Sequence, residues 1–173
     1  MIASGLHDVS TMMSASHLLT VGYEGADIDA FVACLGAAGV GVLVDVRELP
    51  LSRKKGFSKV ALSHALRDVG IAYVHMRGLG CPREIRLRYR EDRSWPRYTR
   101  DFLAYLSTQR AAIDDLATLA RAKACCVMCF EADFAACHRT YVARAAYDAG
   151  APDVMHLRVG AEPVEDAEVR SAP

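Results

Sequence analysis

The chain has no Lys or Arg before Arg47, a single Trp, and no apolar run approaching the roughly 20 residues that a membrane helix needs. The last absence removes membrane-spanning functions from the expected classes. A charged start followed by a continuous apolar run is also missing, so no secretory leader is expected. Cysteine is present six times but without the spacing of a disulfide framework. Cys125, Cys126, Cys129 and Cys137 crowd together, three of them in one apolar run. Reduced thiols are the expectation, and with them a cytoplasmic location. The chain carries no helix-turn-helix, zinc-finger or RNA-binding signature. Gly78-Leu79-Gly80 lacks the third glycine and the immediate helix start of a dinucleotide fingerprint, so there is no nicotinamide or flavin signature. Neither an internal repeat nor an interdomain linker is visible.

What is present fits one domain, since 173 residues with 52% apolar content can bury a sizeable core. Formal net charge is zero, with 21 basic and 21 acidic residues, but the charges are unevenly placed. Residues 47–100 hold 14 Lys/Arg against 5 Asp/Glu, while residues 148–173 hold 6 acids and 2 bases. A basic middle between acidic ends points to an anionic partner, a phosphate-bearing small molecule or a nucleic acid. A solvated, ion-paired surface is the competing explanation of the same pattern.

Apolar runs alternate with helical periodicity along the chain. Leu18–Val21, Val40–Val46, Ile71–Val74 and Cys125–Phe130 read as strands, and Val154–Val159 as an edge strand. Asp27 is placed to cap a helix whose inward face is Ile28, Phe31, Val32 and Leu35. Ser58 precedes a second helix with Leu62, Ala65, Leu66 and Val69 inward, and further helices are expected after Pro96, from Arg110 to Lys123, and from His138. This alternation predicts an α/β fold of three layers, a largely parallel sheet of four to five strands with helices on both faces. Residues 1–17 read as a flexible extension, 18–160 as the domain, and 161–173 as a disordered acidic tail.

In a parallel sheet the loops leaving the strands meet at one edge, where open α/β folds bind ligands. Those loops hold the unusual polar residues of this chain. The first has Gly22, Tyr23, Glu24 and Gly25, a tight turn with backbone close to a neighbour. The second follows Asp45 with Arg47, Arg53 and Lys54. The third has Arg77, Gly78 and Gly80, and the fourth runs from Glu131 to Cys137, His138 and Arg139. Arg47, Arg53, Lys54, Arg77 and Arg139 are the candidate anion-binding residues, and Glu24, Asp45, Glu131, Cys137 and His138 the candidate catalytic ones. Carboxylates beside arginines can hold a water and a phosphate, or a divalent cation. They can equally form a structural ion-pair network. A thiol at a helix start beside His and Arg favours its thiolate, so Cys137 is a candidate nucleophile. Cys129, Glu131, Cys137 and His138 are all zinc-ligand types, but their spacing C-x-E-x5-C-H matches no common structural zinc pattern, so no metal is expected there.

The blocks Thr20–Gly25, Leu43–Arg47 with Pro50, Ser52–Ser58, Arg77–Gly80, and Cys129–Glu131 with Cys137–Arg139 together resemble a bacterial and archaeal family catalogued as domain of unknown function 488. The resemblance covers about residues 18–145 and implies an α/β fold without implying a substrate, reaction or cofactor. Three functions stand as expectations: an enzyme acting on a phosphate-bearing or nucleic-acid substrate, a hydrolase or transferase; a non-catalytic nucleic-acid or nucleotide binding module; and a thiol-based enzyme using Cys137.

Overall fold

Apolar residues at consecutive positions are buried only when a strand is covered on both faces. The computed structural model, which describes residues 17–168, places the runs of this kind at the centre of a six-stranded sheet. In chain order the strands are β1 (His17–Gly22), β2 (Val42–Asp45), β3 (Ala72–His75), β4 (Cys125–Cys129), β5 (Asp153–Arg158) and β6 (Ala161–Glu165). The helices are α1 (Ile28–Ala37), α2 (Lys59–Arg67), α3 (Arg83–Asp92), α4 (Trp95–Leu106), α5 (Arg110–Ala122) and α6 (His138–Asp148). The spatial order is β3-β2-β4-β1-β5-β6, with β1 to β5 parallel and β6 antiparallel at the edge.

Period-two alternation divides the strand residues between two cores. Leu18, Val42, Val44, Cys125, Val127 and Val154 pack with Phe102 of α4, Leu116 of α5 and Val142 of α6. Leu19, Val21, Leu43, Cys126, Met128 and Leu157 pack on the opposite face with Phe31 and Leu35 of α1 and Leu62 and Leu66 of α2. This is the expected α/β sandwich with helices on both faces, built on six strands rather than four to five. Asp27 caps α1, accepting from the Ala30 amide at 2.8 Å. Ser58 occupies the N-cap of α2 without a side-chain bond.

Three elements differ from the sequence reading. The arginine-rich stretch 83–92 is helix α3, which has no fully buried residue and meets the core only through Ile85 and Tyr89, both partly buried. β5 is not an edge strand: it lies between β1 and β6. The expected disordered tail begins too early, because Ala161–Glu165 pairs with β5 through an irregular register and Asp166 is buried behind it. Composition misled here, since Glu162, Pro163 and Glu165 are tolerable on an edge strand that faces solvent. The extension at residues 1–16 and the last five residues of the tail lie outside the described residues.

What pins β6 is polar. His156 of β5 is fully buried between the Thr20 hydroxyl, 2.7 Å from Nδ1, and the Asp166 carboxylate, 3.3 Å from Nε2. Phe134 stacks on its ring at 3.9 Å. Asp166 also accepts from Arg144 of α6 at 2.8 and 3.0 Å. Burial pushes the His156 pKa down to about 4, with the Arg139 and Arg144 charges assisting and the Asp166 charge opposing. For Asp166, burial alone would raise the pKa, but the Arg144 guanidinium holds it below the usual carboxylate range. An unfolded chain takes up the His156 proton near its ordinary 6.5, well before the folded chain does. His156 therefore withdraws stability as the pH falls from about 6.5 toward 4, and Asp166 withdraws its share, in the same direction, as the pH falls through its depressed value. The thermal midpoint is expected to drop by about 6–12 °C between pH 7 and pH 4, taking about 1.4 kcal/mol per pKa unit and 2–4 °C per kcal/mol. His156→Asn should flatten that slope, and an unchanged slope would remove His156 from the network.

Candidate functional site

Cys129 is the last residue of β4, and the chain leaves the sheet there over the end of β1. The Phe130–Ala132 backbone lies against Gly22, the residue paired with Cys129 across the parallel ladder. A β-carbon on Gly22 would sit 1.7 Å from the Glu131 carbonyl oxygen, so only glycine fits. The Glu24 amide donates to the Phe130 carbonyl at 2.8 Å, and the Glu24 carboxylate accepts from the Ala132 amide at 3.1 Å. From beneath, Arg139 donates to the Glu131 carbonyl and, at 3.2 Å, to the Ala132 carbonyl. A short turn, Phe134–Ala136, follows, capped by Asp133 and tied to α6 by the Thr140 hydroxyl at 2.6 Å. Cys137 is then the N-cap of α6 and His138 its first residue.

This path returns the chain to its starting point. The Glu131 Oε2 atom lies 3.2 Å from Cys129 Sγ and 3.0 Å from Cys137 Sγ. His138 Nδ1 lies 3.6 Å from Cys129 Sγ, and His138 Nε2 lies 3.1 Å from the Val46 carbonyl oxygen. Phe102 packs edge-on to the imidazole, with ring centroids 5.2 Å apart. Cys129, Cys137 and His138 are buried, and Glu131 is partly exposed.

The electrostatics of the four groups are mutual. Burial alone would raise the Cys137 pKa, but the Cys129 thiol, His138 and Arg139 bring it well below that of an ordinary thiol. Burial would lower the His138 pKa, yet its contact with Cys137 raises it. Both shifts run in the direction of a thiolate–imidazolium pair. Burial and the adjacent Cys137 charge push the Glu131 carboxyl up to about 7. Cys129, donating toward Cys137 and fully buried, is held well above the normal thiol range.

The other expected catalytic and anion-binding residues are placed elsewhere. Asp45 has the strand parity of Leu43, so it points to the α1/α2 face, away from Cys129. There it binds Arg47 through Nε at 2.9 and 3.1 Å and Nη2 at 2.6 Å, and accepts from the Tyr73 hydroxyl at 2.6 Å. Arg47 spends its remaining donor on the Tyr23 hydroxyl at 3.0 Å and the Phe57 carbonyl at 2.9 Å. Tyr23 stacks on Phe57 at 4.4 Å. Arg139 is fully buried on backbone carbonyls and Thr20. Arg47 is thus held in a structural ion pair and Arg139 on neutral oxygens, and neither is open to an anion. Glu24 is a loop tie rather than an acid at the cluster. Gly25 takes the left-handed φ of 79° that its turn requires. Arg53 is exposed and Lys54 partly so, on the loop after β2, away from the four-residue cluster.

Arg77, Gly78 and Gly80 line a cavity of about 300 Å³ with Glu48, Pro82 and Tyr105. Gly80 is packed so tightly that a β-carbon would lie 2.3 Å from the Glu48 amide nitrogen. Between Gly80 and Pro82, Cys81 is buried beside Tyr98 of α4, and burial pushes its thiol pKa up to about 11. Tyr98 in turn feels the charges of Cys137 and Glu131. Cys81 and Tyr98 were not among the expected site residues. The only signal for Cys81 in the sequence was its place after Gly78-Leu79-Gly80, and Tyr98 read as the apolar face of a helix.

The family described as Domain of unknown function DUF488 matches residues 27–146. The chain belongs to this family. The matched span of this DUF488 protein runs from the cap of α1 into α6 and includes three members of the cluster's own loop, Glu131, Cys137 and His138, together with Cys129. Searches among curated proteins and among solved structures returned no match.

Two substitutions test this geometry. Gly22→Ala should displace the Glu131 loop and cost about 1–3 kcal/mol or more, measured as a lowered urea midpoint. A midpoint equal to wild type would mean that the loop is not held against β1. Arg47→Ala should cost about 3–5 kcal/mol, because it leaves Asp45 buried and unpaired. A loss below about 1 kcal/mol would return Arg47 to the pool of ligand-binding residues.

Proposed function

We propose that this DUF488 protein is a thiol-based enzyme in which Cys137 is the nucleophile and Glu131 the proton-transfer group, at the C-terminal edge of the sheet. The observation that carries this reading is the seating of Cys137. Its sulfur sits at the N-terminus of an eleven-residue helix, 3.0 Å from a carboxyl oxygen and next to His138. A helix N-terminus and a neighbouring cation favour a thiolate there. The expected phosphate or nucleic-acid chemistry loses its two strongest clamps, because Arg47 and Arg139 are committed to internal partners. Arg77 remains at the cavity and is exposed. A substrate carrying an anionic group, a phosphate included, suits that cavity.

In this reading Cys137 Sγ attacks an electrophilic carbon as the bond to the leaving group breaks, and Glu131 gives the leaving group its proton. Water then attacks the covalent intermediate, with the Glu131 carboxylate accepting the water proton and the thiolate departing. Glu131 has both requirements of the role: contact with the sulfur and partial exposure to solvent.

Alkylation of the chelator-treated protein with iodoacetamide, followed by peptide mapping, tests the assignment. Cys137 should react at least about tenfold faster at pH 6 than a free thiol, and Cys126 and Cys125 should stay unmodified. Glu131→Gln should keep the fold and lower turnover of any substrate found by about 100-fold or more. Reaction at Cys137 no faster than that of a free thiol would overturn the assignment.

A further inference from the structure

Beyond thiol chemistry, the same cluster has the composition and geometry of a metal site. Cys129 Sγ, Cys137 Sγ, a Glu131 carboxylate oxygen and a His138 ring nitrogen all lie within 4.8 Å of one another. A tetrahedral zinc ion, with bonds near 2.3 Å to sulfur and 2.0–2.1 Å to nitrogen or oxygen, holds its ligand atoms roughly 3.3–3.8 Å apart. The separations of 3.0, 3.2 and 3.6 Å within the cluster come within about half an ångström of that edge. We infer that Cys129, Glu131, Cys137 and His138 form a binding site for a thiophilic divalent cation, with Zn²⁺ as its natural occupant.

A second observation is independent of those distances. His138 Nε2 faces the Val46 carbonyl at 3.1 Å. A carbonyl only accepts, so Nε2 carries the hydrogen, and in the neutral ring Nδ1 keeps the lone pair. Nδ1 is then the ring nitrogen left for an ion; it lies 3.6 Å from Cys129 Sγ, with Nε2 3.9 Å from the same sulfur. Metal-bound histidines show this arrangement: one ring nitrogen on the ion, the other donating to a carbonyl or carboxylate that fixes the ring. Phe102 holds the imidazole edge-on from the remaining side.

Charge and softness also agree. Two thiolates and one carboxylate around a divalent ion leave one negative charge. Arg139 and the N-terminus of α6 face that charge. Two sulfurs and an imidazole select zinc over magnesium or calcium, which prefer all-oxygen sets. The spacing C-x-E-x5-C-H looked wrong for zinc because the common patterns bring ligands together within one knuckle. Here the strand end, the loop and the helix start supply them separately. Binding releases the thiol protons and engages the Cys137 sulfur. The loaded protein therefore holds its nucleophile on the ion, and the metal-free protein leaves that sulfur uncoordinated. This regulatory consequence rests on the thiol reading above; the site itself rests on the donor geometry alone.

Zinc titration of the chelator-treated full chain, against a chromophoric competitor, tests the inference. One equivalent should bind, and zinc at about 100 times its Kd should raise the thermal midpoint by about 5–10 °C. Co²⁺ in its place should give sulfur-to-metal charge-transfer absorption and the intense visible bands of a tetrahedral ion. Cys129→Ser and His138→Ala should each weaken binding by about 100-fold or more, while Cys34→Ser should leave it unchanged. If Cys129→Ser fails to fold, Glu131→Gln at the exposed side of the cluster should still weaken binding by about tenfold. Absence of saturable binding, or a Co²⁺ spectrum without charge-transfer absorption, would overturn the metal site. Iodoacetamide labelling with and without zinc separates the two readings. Zinc binding with an unreactive Cys137 in the free protein keeps the site and removes the nucleophile. A reactive Cys137 in a protein that binds no zinc does the reverse.

Discussion

Everything at the end of β4 depends on the close approach of two backbones, Gly22 of β1 and the Phe130–Ala132 segment. The approach leaves no room for a side chain at residue 22. It turns the chain sharply enough for Glu131 to fold back over Cys129. Arg139 supports the turn from below, spending a buried guanidinium on two carbonyls that would otherwise lie unpaired. Glu24 closes it from above. Three charged or exceptional residues are thus consumed in shaping a loop, and the groups left free to act are the sulfurs, the carboxyl and the imidazole that the loop gathers.

A parallel sheet gathers polar residues at one edge but does not put them in one place. Each strand end has two faces, and the alternation that divides the hydrophobic residues into two cores divides the polar ones as well. Asp45 and Cys129 leave adjacent strands at nearly the same level, yet parity sends one to α1 and α2 and the other to α6. The Asp45–Arg47 pair became an anchor for the Tyr23–Phe57 stack. The Cys129 side became the cluster.

That division explains what could be read from the chain. Continuous apolar runs and capped helical periods made the sheet, its parallel direction and the helices legible, because burial on both faces leaves an unmistakable pattern. Glycine and acid at Gly22–Gly25, and Cys-His at a helix start, marked the loops that gather the cluster. Arg47 and Arg139 were placed differently than expected because a guanidinium looks the same in sequence whether it meets a ligand or an internal carboxylate or carbonyl, as these two do. Helix α3 was missed because arginines dominate it and only Ile85 and Tyr89, partly buried, meet the core. β6 was hidden because its charges and proline are those of a disordered segment. The nearness of Cys129 to His138, nine positions apart, follows from the turn of a loop, which no periodicity encodes.

The irregular edge strand has a further consequence, for how copies of the protein behave in concentrated solution. An open strand edge is a template on which another chain can extend the sheet. β6 carries Glu162, Pro163 and Glu165, and its register with β5 is irregular. Proline offers no amide hydrogen and the two acids repel a like edge. The sheet is therefore poorly suited to growing past β6, which guards that side of the molecule against edge-to-edge aggregation.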